Sequence, residues 1–178
     1  VGNTQSSIYS INEVKTLPRE IKSSISIDLK KIISKRKSIC GLKFDQPQII
    51  GALNVTPDSF SDGGLFFEEL KAFKQSSSMV ADGAKIIDIG GESTRPGSKT
   101  IDEKEEWDRI KNIIVKIKKN FRNIPLSLDT RKSYVMKKGI EHGVNIINDV
   151  SSLNFDKKSF NLINLKNIPF VLHHMQGT

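Results

Sequence analysis

A chain of 178 residues with 37% hydrophobic and 27% charged residues can build one real core and is too apolar for disorder. It lacks an apolar run of the ~20 residues that cross a bilayer. Its first residues, Val1-Gly2-Asn3-Thr4-Gln5-Ser6-Ser7, lack the apolar segment of a secretory signal, and its one cysteine, Cys40, permits no internal disulfide. A helical membrane protein and a disulfide-stapled secreted domain are excluded, and a cytoplasmic protein is expected.

The net charge of +8 comes from 28 Lys and Arg against 20 Asp and Glu. The basic residues are scattered, as in Lys35-Arg36-Lys37 and Lys116-Ile117-Lys118-Lys119, and no aromatic residues interleave with them to stack bases. This pattern suits solvated helix faces better than a nucleic-acid surface. It would also draw an anionic substrate toward a basic cleft. Neither a nucleic acid nor a membrane is expected as a partner.

Along the chain, residues 1–37 read as an N-terminal extension of unknown role. Ser, Lys and Ile alternate there without a clean period, and Ile25–Ile33 fits a helix or a strand equally. Lys37–Phe44, with Gly41 in the middle, predicts a short β-hairpin. From Gln48 the pattern is regular. Apolar strands are predicted at Gln48–Leu53, Lys85–Ile89, Ile124–Leu128, Val144–Ile147 and Ile168–Leu172. Each is nearly continuous in its apolar character, as parallel strands covered on both faces are.

Helices separate them. The first places Phe66, Leu70, Phe73, Ser77 and Val80 on one face and ends near Gly83. The second opens on Thr100-Ile101-Asp102-Glu103, which matches a capping box, and puts Trp107, Ile110, Ile114 and Ile117 on one stripe. The third spans about Lys132–His142, stopped by Gly143, with His142 as its last residue. The fourth spans about Lys157–Leu165. Strict strand–helix alternation predicts a parallel α/β sheet or barrel.

Every predicted strand ends on something polar or glycine-rich: Asn54, then Gly90–Gly97, Asp129-Thr130, Asn148-Asp149 and His173-His174. In a (β/α) barrel these ends share one face, where ligands bind. Gly90–Gly97 offers backbone N–H groups, the hydroxyls of Ser93 and Thr94, and Arg95, a set suited to a phosphate or diphosphate. Asp129 and Asn148 can hydrogen-bond a heterocycle edge, the carboxylate accepting and the amide doing both. Asn54 and nearby loop carboxylates can hold Mg²⁺, or Asn54 can cap the following turn. His173 and His174 are adjacent on a strand and so point to opposite faces, which argues against a shared transition metal.

The segments Gly51–Gly64, Asp88-Ile89-Gly90-Gly91-Glu92-Ser93-Thr94-Arg95-Pro96-Gly97, Leu128-Asp129-Thr130, Ile146-Ile147-Asn148-Asp149-Val150 and His174-Met175-Gln176-Gly177 resemble the dihydropteroate synthase family in order and spacing. The first two are long and specific, and the resemblance covers about residues 38–178. It implies a pterin-binding TIM (β/α)₈ barrel that condenses 6-hydroxymethyl-7,8-dihydropterin diphosphate with p-aminobenzoate in folate synthesis and releases diphosphate. By matching position, Asn54 resembles the magnesium ligand. Thr94, with Ser93 and Arg95 beside it, resembles the diphosphate-binding residue. Asp129 and Asn148 resemble pterin-pocket residues, and Asp129 would stabilise the cationic pterin during catalysis. Thr56–Gly64, with Phe60 at its centre, resembles a mobile loop that helps form the aminobenzoate pocket. A homodimer is expected of the complete protein.

Departures from the family pattern are His173, where Met is common, and Arg131, where a smaller residue follows Asp129-Thr130. The family's later elements are missing: a second pterin-binding aspartate, a Gly-rich loop, a Ser-Arg-Lys segment and a terminal Arg-x-His anion site. The chain is therefore expected to be a piece of a longer reading frame, with about five of eight βα units, and inactive alone. Two other readings compete: a pterin-binding methyltransferase domain, which needs no diphosphate site, and a non-catalytic basic binding module.

Overall fold

The predicted apolar runs pair side by side in the order in which the chain makes them. The computed structural model describes residues 7–35, 37–56, 64–93 and 97–173, with residues 64–68 described by backbone alone. The chain divides into two units, Val1–Lys37 and Ser38–Thr178.

In the first unit, Ser10 and Glu13 form a reciprocal capping box that starts the one-turn helix α1 (Ile11–Val14). Pro18 precedes α2 (Arg19–Ile33), so the ambiguous stretch Ile25–Ile33 is helical. Its isoleucines and leucine fall at helical spacing (Ile21, Ile25, Leu29, Ile32), with Glu20 early and Lys30 and Lys31 late, which suits the helix dipole. No residue of α2 is buried.

The second unit opens on a tight turn. The predicted hairpin at Lys37–Phe44 reduces to one antiparallel bridge, Ile39 with Leu42. Cys40 and Gly41 between them both have positive φ, 52° and 79°, the geometry of a two-residue hairpin turn.

Five strand–helix units follow. The strands are β1 (Ile50–Asn54), β2 (Ile86–Gly90), β3 (Leu126–Asp129), β4 (Ile146–Asp149) and β5 (Phe170–Leu172). The helices are α3 (Gly64–Ala81), α4 (Glu103–Asn120), α5 (Ser133–Glu141) and α6 (Lys158–Lys166). The sheet is wholly parallel in the order β1-β2-β3-β4-β5. A doubly wound sheet reverses its order at a switch point. This one does not, and is the wall of a (β/α) barrel.

Each strand begins one or two residues later than its apolar run. The ladder is a backbone property and continues through the polar end residues. It even runs past them, with Val55 N–H donating to Gly90 O (2.8 Å) and Thr130 N–H to Asn148 O (3.0 Å). As a result Asn54, Gly90, Asp129, Asn148 and Val171 are paired neighbours in one row across all five strands.

The core lies between sheet and helices. Leu53, Ile87, Ile89, Leu126, Leu128 and Ile147 are fully buried and belong to one apolar cluster with residues of α3, α4 and α5. On α4, Trp107, Ile110, Ile114 and Ile117 are buried as predicted, and so is Ile113. The helix start differs: Asp102, not Thr100, is the N-cap, and its carboxylate accepts from Lys104 N–H. A carboxylate one residue before the helix suits its positive end. On α3 the buried face is centred on Ala72 and Ser76, while Leu70 is 46% exposed; Phe66 lies outside the described side chains. Ser76 and Ser77 both hydrogen-bond the Phe73 carbonyl, which lets hydroxyls face the core. Gly91 is obligatory for close packing, because a Cβ there would lie 2.9 Å from the Glu106 carbonyl oxygen of α4.

Candidate functional site

The strand-end row brings Asn54, Asp129 and Asn148 onto one side of the sheet, with Gly90 leaving space beside Asp129. A carbon on Gly90 would sit 3.5 Å from the Asp129 carboxylate. Behind this row stands Asp88, in the middle of β2. Its Oδ2 accepts from Asn148 Nδ2 at 2.9 Å. The other end of that amide, Oδ1, lies 2.7 Å from His173 Nε2. With the Asn148 NH₂ turned toward Asp88, its carbonyl faces His173, so Nε2 carries the hydrogen. Asp88, Asn148 and His173 thus form one hydrogen-bonded chain across β2, β4 and the end of β5.

Two acceptors in this group are unused. Asp88 Oδ1 and Asp129 Oδ1 are buried and have no hydrogen-bond partner among the described residues. The Asp129 carboxyl is pushed up to about 7. Burial is the main cause, repulsion from Asp88, Glu106 and Asp149 adds to it, and Arg131 opposes it. Buried acceptors without donors are rare in folded proteins, and these two stand together at and just behind the strand-end row.

A second cluster lies under the loops. Glu92, just after β2, accepts from Arg131 (2.6 Å) and Lys132 (2.6 Å), and Lys132 also pairs with Glu106 of α4 (2.5 Å). Glu92, Lys132 and Glu106 are all buried. Burial alone would raise Glu92, but hydrogen bonds from Arg131, Lys132 and Ile101 N–H hold it below its ordinary value. Glu106 is raised, chiefly by burial, against the pull of Lys132.

Residues 50–178, well over half of the chain, match the family described as pterin binding enzyme. The chain belongs to that family. Among relatives of this pterin-binding chain, dihydropteroate synthase of Bacillus subtilis (strain 168) is 41% identical over 149 residues, 84% of this chain and 52% of the relative. Dihydropteroate synthase of Streptococcus pyogenes serotype M1 is 45% identical over 128 residues, 72% of this chain and 48% of the relative.

Two solved structures agree. One is dihydropteroate synthase from Clostridium difficile in the presence of pteroic acid, with TM-score 0.71 and 42% identity over 75% of this chain and 51% of that one. The other is Xanthomonas albilineans dihydropteroate synthase with 4-aminobenzoic acid, with TM-score 0.73 and 38% identity over 81% and 53%. The chain spans about half the length of the relatives it matches.

Of the site residues proposed from the sequence, Asn54, Asp129 and Asn148 share the row, and Ser93 lies three residues beyond the end of β2. Phe60, Thr94, Arg95 and His174 lie outside the described residues, as does most of the Thr56–Gly64 loop. The structure changes what Asn148 has to offer. One amide hydrogen is spent on Asp88 and one carbonyl lone pair on His173, leaving one of each. Its neighbour Asp149 is fully buried and holds the N–H groups of Ser151 and Leu153, which is a structural task.

His142 does more than end a helix. It is the C-cap of α5, and its ring packs on Trp107 with centroids 4.9 Å apart. No three His, Cys, Asp or Glu side chains come together to hold a metal ion among the described residues, and none of the described helices is long and apolar enough to cross a membrane. Sequence reasoning missed Asp88 as a site residue. The available signal was its charge within the apolar run Ile86-Ile87-Asp88-Ile89, where a parallel strand covered on both faces has no place for an unpaired carboxylate.

Proposed function

We infer that the complete protein is a dihydropteroate synthase: a transferase that joins 6-hydroxymethyl-7,8-dihydropterin diphosphate to p-aminobenzoate and releases diphosphate. The observation that carries this reading is the pair of unpartnered buried carboxylate oxygens on Asp88 and Asp129, flanked by Asn148. A pterin edge, rich in N–H donors, is the kind of ligand that would satisfy them.

In the reaction the exocyclic C–O bond to diphosphate breaks and a C–N bond to the amine of p-aminobenzoate forms. The electron pair leaves with diphosphate, and the amine gives up a proton. The dihydropterin can delocalise positive charge at its methylene, which favours an ionised, SN1-like path. Ionised Asp129 would stabilise that charge at short range in a water-poor site. Ser93, Thr94 and Arg95, in the segment after β2, would receive the departing diphosphate, and Phe60 would line the aminobenzoate side. Asn54 suits one ligand position for Mg²⁺, since its side chain is exposed at the strand-end row with no partner among the described residues. A bound Mg²⁺ supplies charge to neutralise the leaving diphosphate. A cytoplasmic homodimer belongs to the same reading.

Asp129→Asn in the complete protein should lower turnover at least about a hundredfold, the scale of losing one preorganised electrostatic contact. Near-normal turnover removes Asp129 from the mechanism. Isothermal titration with the pterin diphosphate and Mg²⁺ tests the whole reading. Binding that ignores the diphosphate would favour a pterin-dependent methyltransferase, and tight, salt-dependent RNA binding would favour a basic nucleic-acid module.

A further inference from the structure

The dipeptide Arg131-Lys132 ties together the loops that follow three successive strands. It belongs to the loop after β3. Arg131 Nη2 donates to Glu92 Oε1 at 2.6 Å, and Lys132 Nζ donates to Glu92 Oε2 at 2.6 Å, so both reach the loop after β2. The Arg131 guanidinium also lies 4.4 Å from the ring centre of Phe155, in the loop after β4. That loop is fixed a second time, with Asp156 Oδ2 accepting from Ser133 N–H at 2.9 Å. Glu92 Oε2 additionally accepts from Ile101 N–H at 2.9 Å, so the same carboxylate also ties in the residue just before the Asp102 cap of α4. Gly91, immediately before it, is pinned by Arg109 of α4, which donates to the Gly91 carbonyl at 3.0 Å.

The pieces of this cluster are expensive to bury, and Lys132 is shared between Glu92 and Glu106, while Glu106 Oε1 and Arg131 Nε have no hydrogen-bond partner among the described residues. Glu92 is 7% exposed, Lys132 6% and Glu106 1%. An ion network of this kind contributes little net stability compared with apolar packing, yet breaking it strands a buried charge. Such a network is better understood as fixing geometry than as strengthening the fold.

We propose that Glu92, held by Arg131 and Lys132, is a positioning residue that fixes the backbone around Ser93, after β2, relative to Asp129, so that the diphosphate and pterin ends of one substrate are bound at the correct separation. The inference rests on the proposed function. Glu92 directly precedes Ser93 and Arg131 lies two residues beyond Asp129, so the clamp joins the two strand ends to which the proposed function assigns the diphosphate and the pterin. It also gives a use to Arg131, one of the two residues, with His173, at which this chain departs from the pattern of the family it resembles.

The test compares two probes on the complete protein: inorganic diphosphate with Mg²⁺, and 6-hydroxymethyl-dihydropterin without diphosphate. Titrations use the unsubstituted protein, Glu92→Gln, and Arg131→Gln, which removes only one arm of the clamp from a partly exposed position. Both variants are expected to bind diphosphate about tenfold more weakly or worse while pterin affinity stays within about twofold, a selective loss of roughly one decade in the affinity scale. Equal loss for both probes, or no loss for either, overturns the inference. If Glu92→Gln does not fold, Arg131→Gln decides by the same criterion. An unsubstituted protein that binds neither probe refutes the proposed function itself, which is a different result from two variants that bind like the unsubstituted protein.

Discussion

At the scale of single residues, Asp129 carries the clearest pH signature. Its carboxyl ionises near 3.8 in the absence of the fold and near 7 within it. Below pH 3.8 both forms are protonated and the residue costs nothing. Between 3.8 and 7 the unfolded chain releases a proton that the folded chain keeps, so stability falls as pH rises, by up to about 1.4 kcal/mol per unit. Above 7 the loss is complete and constant. Asp129→Asn removes this term, so the variant should gain on the unsubstituted complete protein as pH rises from 5 to 8. Melting temperatures at the two pH values check it, and a gap that does not widen in favour of the variant would show that burial does not hold the proton there. A gap that does widen, combined with lost turnover, would mark Asp129 as a residue kept for chemistry at the expense of stability.

At the scale of elements, much was legible and the failures have causes. The five strands and four following helices were readable because continuous apolar runs and 3.6-residue stripes alternate without exception after Gln48. The strand ends differ from the apolar runs because side-chain polarity does not end a backbone ladder: Asn54 and Asp129 are the last paired residues of β1 and β3, and Asn148 is paired within β4, which ends at Asp149. Burial of Ser76 instead of Leu70 on α3 was hidden because serine hydroxyls bonded within the helix behave as small core residues. The ion cluster was hidden for another reason. Glu106 sits on the buried stripe of α4, but nothing local says that Lys132, 26 residues on, supplies its countercharge.

The start of α4 gives a direct check. Asp102→Ala should cost about 1 kcal/mol through loss of the cap, while Thr100→Ala should be near neutral. Equal effects in denaturant titrations would return the cap to Thr100.

At the scale of the molecule, the sheet has two edges that pair on one side only among the described residues, β1 and β5. Ile50 is 54% exposed on the first, and Phe170, Val171 and Leu172 are 41%, 41% and 68% exposed on the second. Exposed apolar edge strands with free backbone groups recruit other chains. The 178-residue chain taken alone is expected to aggregate or to remain loosely packed, and to make no dihydropteroate. A soluble monomer with a cooperative melt and measurable product would refute this.

The sequential strand order also bears on time. Ile50 meets Ile86, Ile87 meets Leu126, Ser127 meets Ile146 and Ile147 meets Phe170, so each strand's partner is the next one to be synthesised. Loop closure over such short separations is entropically cheap. On a ribosome the growing sheet can therefore add one strand per unit translated, and its newest edge is always the one beside the exit tunnel. The oldest edge, β1, gains no partner from this succession.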